Sequence, residues 1–125
     1  MKAIKTSKAP AAIGPYNQGI LANNMLFVSG QIPFVPSTMT LVGEDIKSQT
    51  KQSLENVLAI VQEAGLKKAD ITKIGIFMKD LSMFQEMNEV YATYFDTHKP
   101  ARFAVEVARL PKDVLIEIDA IAVKE

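Results

Sequence analysis

Apolar residues recur along this chain with two periods, and the switch between them marks the elements. From about Asp45 to Ala64, Ile46, Leu54, Val57, Leu58, Val61 and Ala64 form one stripe at 3.6-residue spacing. That spacing predicts an amphipathic helix, with Gly65 suited to the C′ position. A second helix is predicted from Ser82, which forms a capping box with Gln85, to about His98. Phe84, Met87, Tyr91, Tyr94 and Phe95 mark its buried side, and Asn88 falls within the same stripe.

Elsewhere the period is two. Ala3 to Thr6 reads as a short strand, and Ile20–Ala22 and Met25–Gln31 read as strands across an Asn23-Asn24 turn, whose residues tolerate φ > 0. Pro33 and Pro36 open a loop running to Gly43. Ile71 to Met78 is a further strand with Ile74, Ile76 and Met78 on one face. Pro100 stops the second helix. From there to Asp119 two strand-like runs flank Leu-Pro-Lys-Asp, which predicts a closing hairpin. The order β-β-β-α-β-α-β-β is that of a single α+β domain over residues 1–125.

Two helices cover only one face of such a sheet. Yet the last strand is apolar on both faces: Ile116, Ile118, Ala120 and Ala122 share one, and Leu115, Glu117, Asp119, Ile121 and Val123 the other. The second face is therefore expected to meet another copy of the chain, making a homo-oligomer.

Two charges interrupt this apolar pattern. Alternation puts Arg102, Ala104, Glu106 and Ala108 on one face of the first hairpin strand, with Phe103, Val105 and Val107 on the other. Arg102 and Glu117 admit two readings. Each lies near the sheet rim with its head in water, or the two together form a site. A turn near Pro111-Lys112 sets Glu117 opposite Glu106 and Arg102 opposite Ile121, ~13 Å apart at ~3.3 Å per residue. That is too far to grip one small acid, so the pair is predicted to meet across a subunit boundary.

Composition narrows the chemistry. Fourteen basic and fourteen acidic side chains balance to zero net charge, and the pI is near 6.6, so a nucleic-acid partner is not expected. The absence of cysteine excludes disulfides, thiolate metal sites and a Cys nucleophile. With one histidine and no HExxH or DxDxDG spacing, no metal is expected, and His98 reads as a structural residue in a helix's last turn. No signal-peptide h-region and no run of ~20 apolar residues is present, so a soluble cytoplasmic protein without a membrane partner is expected. What remains is Arg102, Glu117, Tyr16, Asn88 and the Gly30 backbone. An arginine fork matches a carboxylate, which makes a small 2-substituted acid a reasonable ligand, and Glu117 is placed to hold a water or move a proton. Tyr16 and Asn88 serve equally well as packing and helix-face residues.

IGPYNQG at 13–19, SGQIP at 29–33, the QSLENVLAIVQEAG helix, KDL at 79–81 and PARFAVEVARLPKDVLIEIDAIAV resemble the RidA/YjgF family over almost the full length. The resemblance implies a chorismate-mutase-like fold and a homotrimer with sites at the subunit interfaces. It implies hydrolysis of 2-iminopropanoate and 2-iminobutanoate, or their enamine tautomers, to 2-oxo acids and ammonia, with neither metal nor cofactor. Carried over to this chain, Arg102 holds the substrate carboxylate and Glu117 positions the water. Tyr16 and Asn88 line the pocket, and the backbones of Gly30 and Ala104 supply polar contacts. Many relatives have Ser and Cys directly after the arginine, where this chain has Phe103 and Ala104. Phe103 is expected to point away from the pocket, and Ala104 to keep its N–H toward it. Two rival activities stay in view: a ribonuclease or translation inhibitor, and a non-catalytic module that binds 2-oxo acids or holds unfolded chains.

Overall fold

The structure, a computed structural model, describes residues 1–125. Eight strands and two α-helices follow one another as β1 (Lys2–Ile4), β2 (Gly19–Ala22), β3 (Met25–Gln31), β4 (Phe34–Val35), β5 (Thr40–Leu41), α1 (Ile46–Glu63), β6 (Ile71–Met78), α2 (Phe84–Tyr94), β7 (Ala101–Glu106) and β8 (Ile116–Val123). Six strands form one sheet in the order β1-β2-β3-β8-β6-β7. Every neighbouring pair in it is antiparallel except β6 and β7. The α+β domain thus has two helices on a mixed sheet. The predicted loop after Pro33 instead folds into a small hairpin of β4 and β5.

The two periods of the sequence meet in one core. Leu54, Val57, Ile60 and Val61 of α1 and Met87 and Tyr91 of α2 share a buried cluster with Ile74, Ile76, Met78, Ile116 and Ile118 from the sheet. Each fully buried Ile or Leu contributes about 1.5–3 kcal/mol. Asp45 caps α1 by accepting the Ser48 N–H (2.9 Å), and Gly65 closes it in the left-handed region at φ 83°. Polar α1 residues are buried too, because they hold loops. Asn56 donates to the carbonyls of Ile32 (3.1 Å) and Phe34 (2.9 Å).

The other sheet face has no helix over it. Met25, Phe27, Phe103 and Val105 stay exposed there, beside the half-buried Glu117, Asp119 and Ile121.

Four local expectations fail, each for a physical reason. The closing hairpin does not form. Parallel strands need a crossover, α2 supplies it, and β7 returns alongside β6. The chain then crosses the end of β6, where Val107 N–H reaches Met78 O and Lys79 N–H reaches Leu115 O, and β8 enters on the far side of β6. Ser82 is not a helix cap: it lies within a 3₁₀ turn, Leu81–Met83, and its N–H is itself capped by Asp80 (2.8 Å). Finally, α2 ends at Tyr94, so His98 lies beyond the helix, with Nε2 2.6 Å from Ile71 O. The first strand also stops two residues early, at Ile4, because Thr6 turns to other partners.

Candidate functional site

Arg102 sits on β7, at one edge of the sheet, and its side chain turns to the helix-covered face. Nη1 donates to Asn88 Oδ1 (2.7 Å), and the guanidinium carbon lies 4.6 Å from the Tyr91 ring centre and 5.5 Å from that of Phe84. Such stacked contacts are worth about 0.5–2 kcal/mol each and offset part of the cost of half-burying a charge. No carboxylate pairs with it; the ion pairs of the domain are Lys47–Glu89 and Arg109–Asp113. Tyr91 was legible only as a core position, although its place three residues after Asn88 puts both on one helical face. Its hydroxyl is buried without a partner, and burial pushes its pKa up against the pull of Arg102.

Ala104 follows on the same face of β7 and packs against the core. The Val107–Met78 bond sets the phase of the parallel ladder, in which alternate residues address opposite neighbours. Odd-numbered residues of β7 therefore bond to β6. The N–H groups of Arg102 and Ala104 point out of the sheet edge. Phe103, as expected, turns to the other face, edge-on to Phe77 with ring centres 5.4 Å apart.

Glu117 lies on β8 with its side chain on the open face. Together with Ile13, Tyr16, Ser29, Gly30, Ile32, Pro111 and Lys112 it lines a hollow of about 600 Å³. A Cβ at Gly30 would lie 2.5 Å from Glu117 Oε2, so any side chain there would push the carboxylate from its place. The β3–β8 register slips between Val28 and Gln31, which brings this glycine under the carboxylate. Ser29 behaves as a strand-end donor to Asn17 O (2.6 Å). Lys112 and Asp113 both adopt the left-handed region (φ 58° and 55°), and the turn is stapled by Arg109, which donates to both Asp113 carboxylate oxygens at 2.9 and 3.3 Å. Burial first, and then the charge of Asp119, raises the pKa of Glu117 above the ordinary carboxylate range. Asp119 is also raised by burial, with the Gly75 N–H and Lys73 opposing.

The residues singled out in the sequence therefore divide into two half-sites. Asn88 and Ala104 stand with Arg102, and Tyr16 and Gly30 with Glu117. Strand parity puts the two heads on opposite faces of the sheet, so they do not converge within one protomer. Asn88 is placed to orient Arg102 rather than to stand alone.

These halves on this sheet define a small α+β domain of the class described as endoribonuclease L-PSP, whose family model matches residues 6–124. The chain belongs to the RidA/YjgF family. It is 56% identical over 126 residues to the 2-iminobutanoate/2-iminopropanoate deaminase of Salmonella typhimurium, covering 98% of each chain. A RutC family protein of Pyrococcus horikoshii is 57% identical over 122 residues, with 98% of this chain and 97% of that one covered. The crystal structure of Escherichia coli TdcF with bound serine superposes with a TM-score of 0.96 at 51% identity, over the whole of both chains.

Proposed function

We propose that the protein is a hydrolytic deaminase of short 2-imino acids, acting as a homotrimer in which Arg102 of one protomer faces Glu117 of the next. One observation carries this reading. A half-buried guanidinium and a half-buried carboxylate, both without an ionic partner in the protomer, lie on opposite faces of a sheet whose second face is apolar and uncovered. A second copy supplies the missing partner for both and covers Phe27, Phe103 and Val105. Likeness to the Salmonella deaminase and to TdcF with bound serine supports an α-substituted small acid as ligand.

In the mechanism, Arg102 binds the substrate carboxylate, held in orientation by Asn88 and the Tyr91 ring. The outward N–H of Ala104 adds a donor, and Tyr16 and Gly30 bound the space over Glu117. The substrate enters as a protonated imine. Glu117 takes a proton from a water as its oxygen attacks the imine carbon, giving a neutral carbinolamine. The carboxyl of Glu117 then returns the proton to nitrogen. The C–N bond breaks as the hydroxyl becomes the ketone, its proton leaving to solvent, and ammonia departs. Imines of this type also hydrolyse in water, so orientation and acid–base help from one carboxylate, worth about 10²–10⁴-fold, suffice. The test couples the purified protein to a threonine dehydratase that depends on pyridoxal phosphate and follows decay of the released imine. An imine lifetime unaffected by the protein refutes the proposal, as does a monomer by light scattering.

The pH profile carries its own expectation. Glu117 acts as its anion, so acidification through its raised pKa removes activity. Asp119→Asn deletes the neighbouring charge that favours the protonated form, so the acid limb of kcat should move to lower pH. A limb that stays in place or moves upward would show that Glu117 is not the titrating base.

Ribonuclease activity finds less support. Zero net charge gives no polyanion footprint, and the single histidine is engaged at the Ile71 carbonyl.

A further inference from the structure

Between β1 and β2 the chain makes a long excursion without regular structure, residues 5–18, and this excursion supplies Ile13 and Tyr16 to the Glu117 hollow. Up to Tyr16 its own hydrogen bonds are local: Lys8 N–H to Thr6 Oγ1, Tyr16 N–H to Gly14 O, and Ile13 N–H to Tyr16 Oη. The tie across the excursion is one side chain, Gln18, only 3% exposed. Its Oε1 accepts the Thr6 N–H (2.7 Å), and its Nε2 lies 3.1, 3.3 and 2.8 Å from the carbonyl oxygens of Thr6, Ala9 and Pro10. The base of this amide is itself fixed beside Gly30, because Gln18 O accepts the Ser29 N–H and Asn17 O accepts the Ser29 hydroxyl.

We infer that Gln18 is a positioning residue, which grips the excursion at its root and so holds Ile13 and Tyr16 as a wall of the substrate hollow. This rests on reading the hollow as the acid site. The chemistry of the amide is specific to the task. One acceptor meets one N–H, while two N–H hydrogens serve three carbonyls. Glutamate would bring a negative charge against those three carbonyls, methionine would leave all four groups unpaired, and asparagine is one methylene short. Leaving buried backbone groups unpaired is costly enough to free the loop. The ladders that join β2 to β3 and β3 to β8 do not depend on the amide, so the domain should survive its loss.

The experiment compares wild type with Gln18→Met in imine hydrolysis and in amide hydrogen exchange without substrate. In Gln18→Met, exchange over residues 7–16 should accelerate while β3, β6 and β8 stay protected. Its kcat/KM should fall about tenfold or more, chiefly through KM, since the loop shapes binding and leaves the proton transfer in place. Should Gln18→Met fail to fold, Gln18→Asn, which keeps the polarity but not the reach, should show the same split. An active wild type with unchanged KM in the variant, or unchanged exchange over the excursion, overturns the role of Gln18 alone. A wild type that hydrolyses no imine overturns the reading of the hollow, and the assigned role of the wall with it.

Discussion

Arg102→Ala should cut imine hydrolysis by well over an order of magnitude while leaving the fold and assembly in place. The guanidinium has no carboxylate partner in the protomer, and in the proposed mechanism its planar fork meets the substrate carboxylate at two points. Removing one member of a desolvated, hydrogen-bonded charge pair costs about 2–5 kcal/mol, or roughly 30- to 4,000-fold in kcat/KM. Stability should fall far less. The side chain is only half-buried, and its losses are one bond to Asn88 and stacking on Tyr91 and Phe84. Arg102→Lys should recover little, since an ammonium keeps the charge but not the fork. Unchanged turnover in Arg102→Ala would mean that the substrate carboxylate is held elsewhere.

Glu117→Gln should lower kcat by about 10²–10⁴-fold, the usual contribution of a positioned base. The amide has nearly the same shape and sits over the same glycine, so calorimetry should find 2-oxobutanoate still bound. This separates the enzyme from a module that merely senses 2-oxo acids, which should tolerate the change in every assay. Turnover within a few-fold of wild type would remove Glu117 from the mechanism.

Much of this arrangement was legible in the sequence, though not all for the right reason. The parity of β7 and β8 placed Arg102 with Ala104, and Glu117 with Asp119, as the structure has them. The separation of Arg102 from Glu117 also followed, but from a ladder that does not exist. The two are kept apart by the thickness of a sheet and by β6, not by distance along a hairpin. Leu-Pro-Lys-Asp is a genuine turn, and a turn is a local signal, whereas strand pairing is settled by everything that competes for an edge. The better clue was β8 itself. A strand apolar on both faces belongs in the middle of a sheet, and its neighbours are β3 and β6. Of the α2 residues that meet Arg102, Asn88 was singled out, whereas Tyr91 stayed hidden because it reads as an ordinary member of a core stripe. The Gln18 network leaves no periodic trace at all, since its partners are backbone groups of an irregular segment.

The placement of the two charged heads on opposite faces has a genetic consequence. If each catalytic unit draws its cation from one polypeptide and its anion from the adjacent one, two dead alleles can rescue each other. Arg102→Ala chains still carry the glutamate, and Glu117→Gln chains still carry the arginine. Refolded together in equal amounts, they should regain roughly a quarter of wild-type activity, the share of junctions that random mixing around a closed ring makes whole. Equal mixtures that stay inert after verified subunit exchange would show that the two heads do not act together in one shared site.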